Sequence, residues 1–164
     1  MRDVAREAGV AEPTVYAVYG SKTGLALALI DSVENSADLT QATAELEAAD
    51  DPAAQLAVLV GFDRRLFELG GDVIALLHDA GRSEPDLHAA YQHGRAHADA
   101  TRQQVFATWP PDAFRPGVDA RSAADTFAAL CNIDVYRVLT EERDWSPDQI
   151  EEWWQNSLER LLLR

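Results

Sequence analysis

Apolar residues recur at intervals of three and four along most of this chain, and that spacing constrains the fold more than any other feature. Leu25, Leu29, Val33 and Ala37, for example, follow one another every four residues. This spacing places apolar side chains on one face of an α-helix. No segment alternates apolar and polar residues between hairpin turns, as a β-strand would. The sequence therefore predicts an all-α protein.

Proline, glycine and capping residues divide the helical pattern into segments. Gly70-Gly71 is expected to end a helix that begins near Pro52, because glycine commonly follows the last helical turn. Ser83 and Asp119 are expected to cap helices, and Ser146 with Gln149 has the spacing of a capping box. The predicted helices cover residues 22–37, 52–69, 85–109, 120–138 and 147–162, with a short apolar stretch at 73–77.

Composition excludes several classes of protein. The single cysteine, Cys131, rules out an intrachain disulfide, and no apolar run is long enough to span a bilayer. The net charge of −14 argues against a chain coated by nucleic acid along its length. Residues 1–22 nevertheless carry three basic and three acidic side chains, so the excess negative charge lies in residues 23–164. We expect a cytoplasmic protein, and the charge distribution permits a local DNA contact by the opening segment.

The opening residues, MRDVAREAGVAEPTVYAVYGSK, have the outline of a helix-turn-helix. Gly9 is suited to the left-handed turn after the first helix, and Pro13 to the first turn of the second. Val15 and Val18 are expected to point inward, which leaves polar and aromatic side chains outward. Such side chains suit contacts to phosphates and base edges.

The string VAREAGVAEPTVYAVYGSKTGL closely resembles the DNA-binding signature of the TetR family of bacterial repressors, and VYRVLTEERDWSPDQIEEWW resembles actinobacterial members. The resemblance implies a homodimer that binds operator DNA and releases it when a small, largely apolar effector binds. It implies phosphate contacts by Thr14, Tyr19 and Lys22, and base contacts by Arg2, Glu12, Pro13 and Tyr16.

The resemblance also implies two domains. Residues 1–40 would be the helix-turn-helix domain with its connecting helix, and residues 41–164 the ligand-binding and dimerisation domain. The family places a further helix before the motif, so we expect an incomplete DNA-binding domain in this sequence. Ala11 stands where the family often has a capping Ser or Thr. A ligand-binding homodimer that has lost DNA binding is therefore the leading alternative.

Residues of the predicted body are assigned to an effector site and to a dimer interface on the same resemblance. The effector-site residues are Phe62, His78, Tyr91, Trp109, Phe127 and Cys131. The interface residues are Ala123, Phe127, Trp153, Trp154, Leu158 and Leu161, on the last two long helices.

Enzymatic and metal-binding functions have little support in the sequence. His93 and His97 have a spacing that suits a metal, but a helical wheel points them away from the apolar side of their helix, and no third ligand is evident. The sequence contains no nucleophile motif and no glycine-rich phosphate loop. We predict no cofactor, no metal and no enzymatic activity; a helical metalloenzyme is the remote alternative.

Overall fold

The computed structural model describes residues 1–164 and confirms the all-α prediction. An isolated β-bridge between Phe114 and Leu163 is the only extended pairing. None of the helices combines the length and the apolar composition that a bilayer span needs. The helices are α1 (Arg2–Glu7), α2 (Glu12–Tyr19), α3 (Lys22–Ser36), α4 (Leu39–Ala48), α5 (Pro52–Gly81), α6 (Pro85–Ala107), α7 (Ala120–Leu130), α8 (Ile133–Arg137) and α9 (Pro147–Leu162).

The first two helices form the predicted helix-turn-helix corner. Gly9 lies between them with φ of 69°, the left-handed region that the sequence predicted for it. Ala5 and Val15 are buried. Val18 is 67% exposed, so the prediction that it points inward is wrong. Ala11 precedes α2 without a side-chain hydrogen bond to the helix, as its methyl group requires.

Helix α5 runs unbroken for 30 residues, so the predicted end at Gly70-Gly71 is wrong. A Cβ at Gly70 would overlap the side chain of Val33 on α3. Glycine is needed here because the two helices approach closely, and not because the chain turns. Packing against α3 and α6 offsets the intrinsic helix cost of two glycines, about 1 kcal/mol each.

Most of the predicted helix starts are confirmed by their capping hydrogen bonds. Asp119 and Ser122 form a capping box on α7, as Ser146 and Gln149 do on α9. The predicted cap at Ser83 is wrong, because its hydroxyl donates to the Ala80 carbonyl and α6 begins without a side-chain cap.

Two features of the helical body differ from the sequence prediction. The helix expected over residues 120–138 is interrupted after Leu130, because Asn132 caps the new helix α8 through the backbone N–H of Val135. A π-helical turn, Val138–Glu142, follows α8. Helix α4 was not predicted, and Asp38, with φ of 62°, caps it.

The main core lies among α5, α6, α7 and α9, and it corrects the dimer-interface prediction. Ala123, Phe127, Trp154 and Leu158 are 0% exposed in the single chain, so their side chains present no surface to a partner. Trp153 is half-buried against Trp145, and Leu161 is 48% exposed. Of the predicted interface residues, only Trp153 and Leu161 remain available for contact between subunits.

Candidate ligand cavity and DNA-binding surface

A cavity of about 150 Å³ lies beside the main core, between α3, α4, α5 and α6. This exceeds the volume of about 10–15 Å³ that a single water molecule needs on the same measure. Its walls are mostly apolar, which is typical of small-molecule sites. The lining includes Ile30, Val33, Leu39, Leu46, Leu59, Phe62, Leu66, Phe67, Ile74, Leu77, Tyr91 and Ala98.

A buried ion pair forms one charged part of the lining. Arg102 donates from Nη2 to Asp63 Oδ2 over 2.6 Å and from Nη1 to Asp99 Oδ1 over 3.0 Å. Asp63 and Arg102 are 3% and 7% exposed. The guanidinium also lies 4.7 Å from the centre of the Phe127 ring, a cation–π distance. Arg102 is therefore held on three sides and cannot move without breaking these contacts.

Burial and ion pairing have opposite effects on the pKa values of Asp63 and Arg102. Burial raises the pKa of the Asp63 carboxyl, and the charge of Arg102 only partly offsets that effect. Burial disfavours the charged form of Arg102, but Asp63 and Asp99 outweigh it and raise the pKa of the guanidinium. We take the pair as ionised, because each charge has a partner at hydrogen-bond distance.

Glu34 is the other acidic side chain of the cavity, and it accepts no hydrogen bond and forms no ion pair. Burial raises the pKa of its carboxyl. His97 and His93 on α6 act against this shift, and Asp31 on α3 adds to it. Arg95 also lines the cavity without an ion-pair partner. Glu34 is thus a half-buried carboxyl group that no cation of the protein satisfies.

The structure brings together only half of the predicted effector-site residues. Phe62, Tyr91 and Cys131 line the cavity. His78 lies outside it, with its ring centre 5.0 Å from that of Tyr91. The side chains of the two others lie in the main core, where the indole Nε1 of Trp109 donates to Gln55 over 2.6 Å and Phe127 is fully buried. His78, Trp109 and Phe127 are therefore not cavity residues.

The charged residues of the site were not predicted from the sequence, although a signal was available. Asp63 and Arg102 interrupt apolar faces, since Asp63 lies four residues after Leu59 and Arg102 four residues before Phe106. A charge on the buried side of a helix is uncommon unless it is paired. His97, which was expected to point away, contributes to the rim of the cavity. No three His, Cys, Asp or Glu side chains converge as a metal site requires.

The predicted DNA-binding residues lie on the first two helices and at the start of α3. Glu12 and Lys22 are partly buried. The other five are exposed, namely Arg2, Pro13, Thr14, Tyr16 and Tyr19. Arg2 lies 3.7 Å from Glu12. Ser21 caps α3 by accepting from the backbone N–H of Gly24 over 2.9 Å. Lys22, the first residue of α3, donates to Glu84 over 2.5 Å.

The amino-terminal segment of the chain is similar to a known protein family. Residues 1–29 match the family model described as bacterial regulatory proteins, TetR family. No curated protein matches the chain in sequence.

Two solved structures share its fold. One is a proposed transcriptional regulator from Saccharomonospora viridis in complex with choline, with 23% identity, a TM-score of 0.76 and coverage of 99% of this chain and 86% of that one. The other is a proposed TetR-family transcriptional regulator from a Rhodococcus species, with 19% identity, a TM-score of 0.73 and coverage of 98% and 86%. The amino-terminal match and the two likenesses together show a chain with the fold of a TetR-family transcriptional regulator.

Proposed function

We propose that this protein is a homodimeric, cytoplasmic transcriptional repressor that binds operator DNA and releases it when a small, largely apolar effector enters the cavity. One observation carries the proposal: helix α3 belongs to both sites. Its first residue, Lys22, is a proposed phosphate contact, and Ile30, Val33 and Glu34 further along the same helix line the cavity. A ligand that shifts α3 would therefore move the DNA-binding helices.

The opening helices supply the proposed DNA contacts. The hydroxyls of Thr14 and Tyr19 and the ammonium group of Lys22 would hold phosphates, since such contacts position a protein on the duplex without reading sequence. Arg2 is the proposed base-reading residue, because a guanidinium can donate to O6 and N7 of guanine together. Its guanidinium lies 3.7 Å from the carboxylate of Glu12, the first residue of α2. Glu12, Pro13 and Tyr16 are proposed to face neighbouring base edges.

The effector acts only through a difference in its affinity for the two arrangements of the protein. A tenfold loss of DNA affinity requires about 1.4 kcal/mol of coupling, and DNA must then weaken effector binding by the same factor. Phe62, Tyr91 and Cys131 are proposed effector contacts within the cavity. The choline complex of the S. viridis protein supports a small ligand in this fold.

Dimerisation sets the spacing of the two DNA-binding units. Recognition helices must lie roughly 34–36 Å apart to enter successive major grooves on one side of the duplex. Trp153 and Leu161 on the outer side of α9 are the proposed contacts with the second subunit.

Selection of binding sequences from a random DNA pool tests the proposal. We expect two-fold sequences whose half-site centres lie about one helical turn apart, roughly 10–10.5 base pairs. Lys22→Ala should weaken binding to all sequences, whereas Arg2→Ala should reduce discrimination at one base pair per half-site by about 1–3 kcal/mol. Failure to enrich any sequence would refute the repressor proposal, and equal losses on selected and random DNA for Arg2→Ala would refute its base-reading role.

A further inference from the structure

We propose that the effector of this cavity carries a positive charge, and that Glu34 holds it. The proposed ligand class is a small organic ammonium, primary or quaternary, whose hydrocarbon part lies against the apolar walls. This inference rests on the proposed function only in assuming that the cavity between α3, α4, α5 and α6 is the effector site.

The charges at the Asp63 side of the cavity compensate one another. Asp63 and Asp99 both accept from Arg102. Arg95 lies close enough to Asp63 to lower the pKa of that carboxyl. Arg95 has no ion-pair partner, but with it this side holds two carboxylates and two guanidinium groups, whose formal charges sum to zero.

Glu34 has no such compensation. It forms no ion pair, and the titratable groups whose charges act on the pKa of its carboxyl are His97, Asp31 and His93. An unpaired carboxylate that is half removed from water costs free energy, and a bound cation would recover that cost.

The surroundings of Glu34 also suit the rest of such a ligand. Phe62 and Tyr91 contribute aromatic rings to the same cavity, and Ile30 and Leu39 contribute aliphatic walls. Aromatic faces attract ammonium groups, and most strongly when the site excludes water. The combination of one free carboxylate, aromatic rings and hydrocarbon selects an alkyl-substituted cation over an anion or a fully neutral molecule.

Charged and neutral molecules of the same shape give the test. The purified full chain is titrated by calorimetry at pH 8 with choline and its carbon isostere 3,3-dimethylbutan-1-ol, and with hexylamine and hexan-1-ol. We expect at least one cation to bind about tenfold more tightly than its neutral counterpart, the scale of a charge-assisted contact in a partly buried site. Equal affinities within both pairs, or no binding by either cation, would overturn the inference.

Two matched variants locate the charge that is responsible. Glu34→Gln should remove the preference for the cation and leave the neutral molecules unaffected, whereas Glu142→Gln removes the same charge from an exposed residue outside the cavity and should preserve the preference. A preference that survives Glu34→Gln, or that is lost in Glu142→Gln, would refute the role of Glu34. DNA selection is a separate measurement, so a failure of this inference is distinguishable from a failure of the repressor proposal.

Discussion

From the ion pair between Lys22 and Glu84 we predict that Glu84 lowers the affinity of the protein for DNA. Lys22 opens α3, and Glu84 immediately precedes α6, a helix that lines the ligand cavity. Their charged atoms lie 2.5 Å apart. If Lys22 contacts a DNA phosphate, the phosphate must compete with Glu84 for the same ammonium group. Glu84→Gln should therefore strengthen DNA binding.

The exposure of the pair sets the size of this effect. The two side chains are 36% and 49% exposed, and ion pairs this close to water contribute about 0.2–1 kcal/mol. Releasing Lys22 should raise DNA affinity by about 1.4- to 5-fold per subunit, and by roughly 2- to 30-fold for a dimer that uses both. The salt dependence should steepen as well, because the phosphate then meets a cation that is not already neutralised.

Fluorescence anisotropy with a labelled random-sequence duplex measures the change, since a phosphate contact does not depend on sequence. Glu141→Gln is the matched control: it removes the same charge from an exposed pair, with Arg137 at 2.9 Å, in the body. The gain should disappear when Glu84→Gln is combined with Lys22→Ala. An equal gain from Glu141→Gln, or a gain that persists without Lys22, would refute competition for the lysine.

Three further variants test the cavity and the interface. Because burial raises the pKa of Glu34, its ionised form destabilises the fold; Glu34→Gln should be more stable than the wild type at pH 7 in urea unfolding. That difference should vanish below about pH 4, where the carboxyl is protonated in both states, and its persistence there would contradict the assignment. Leu161→Glu should yield a folded monomer by light scattering. Trp154→Glu should instead unfold the chain, because that side chain is fully buried. A stable Leu161→Glu dimer would exclude this face of α9 as the dimer interface.

The ends of the helices were predictable where a few neighbouring residues determine them. Asp119 and Ser146 cap α7 and α9 through side chains and backbone groups within three residues, so the sequence alone contains the signal. Gly70 was misread because its role depends on Val33, a residue of a different helix. The packing role of Gly70 cannot be predicted until the contact between α3 and α5 is known.

The candidate site shows the same division between local and distant information. Tyr91 and Phe62 were predicted as cavity residues because the family resemblance implies that their helices surround the effector site. The apolar pattern could not tell which aromatic residues fill the core, and Trp109 and Phe127 lie there. Arg102 contacts Asp63 across 39 positions of the chain, so only the packing of α6 against α5 reveals the pair. The DNA-contact residues stay predictions.

The close contact at Gly70 makes Val33 the expected pivot for any tilt of helix α3. The Val33 side chain rests on bare backbone of α5, so no intervening side chain can change rotamer to absorb a movement of α3. Lys22 lies eleven residues from this point, about 16 Å along a helix that rises 1.5 Å per residue. A tilt of α3 by about 10° at this pivot would carry Lys22 through roughly 3 Å. Opposite tilts in two subunits would change the span between their DNA-binding units by up to about 6 Å. That is roughly a sixth of one DNA turn, so a rearrangement confined to a cavity of small-molecule size can be enlarged into a mismatch with the major groove.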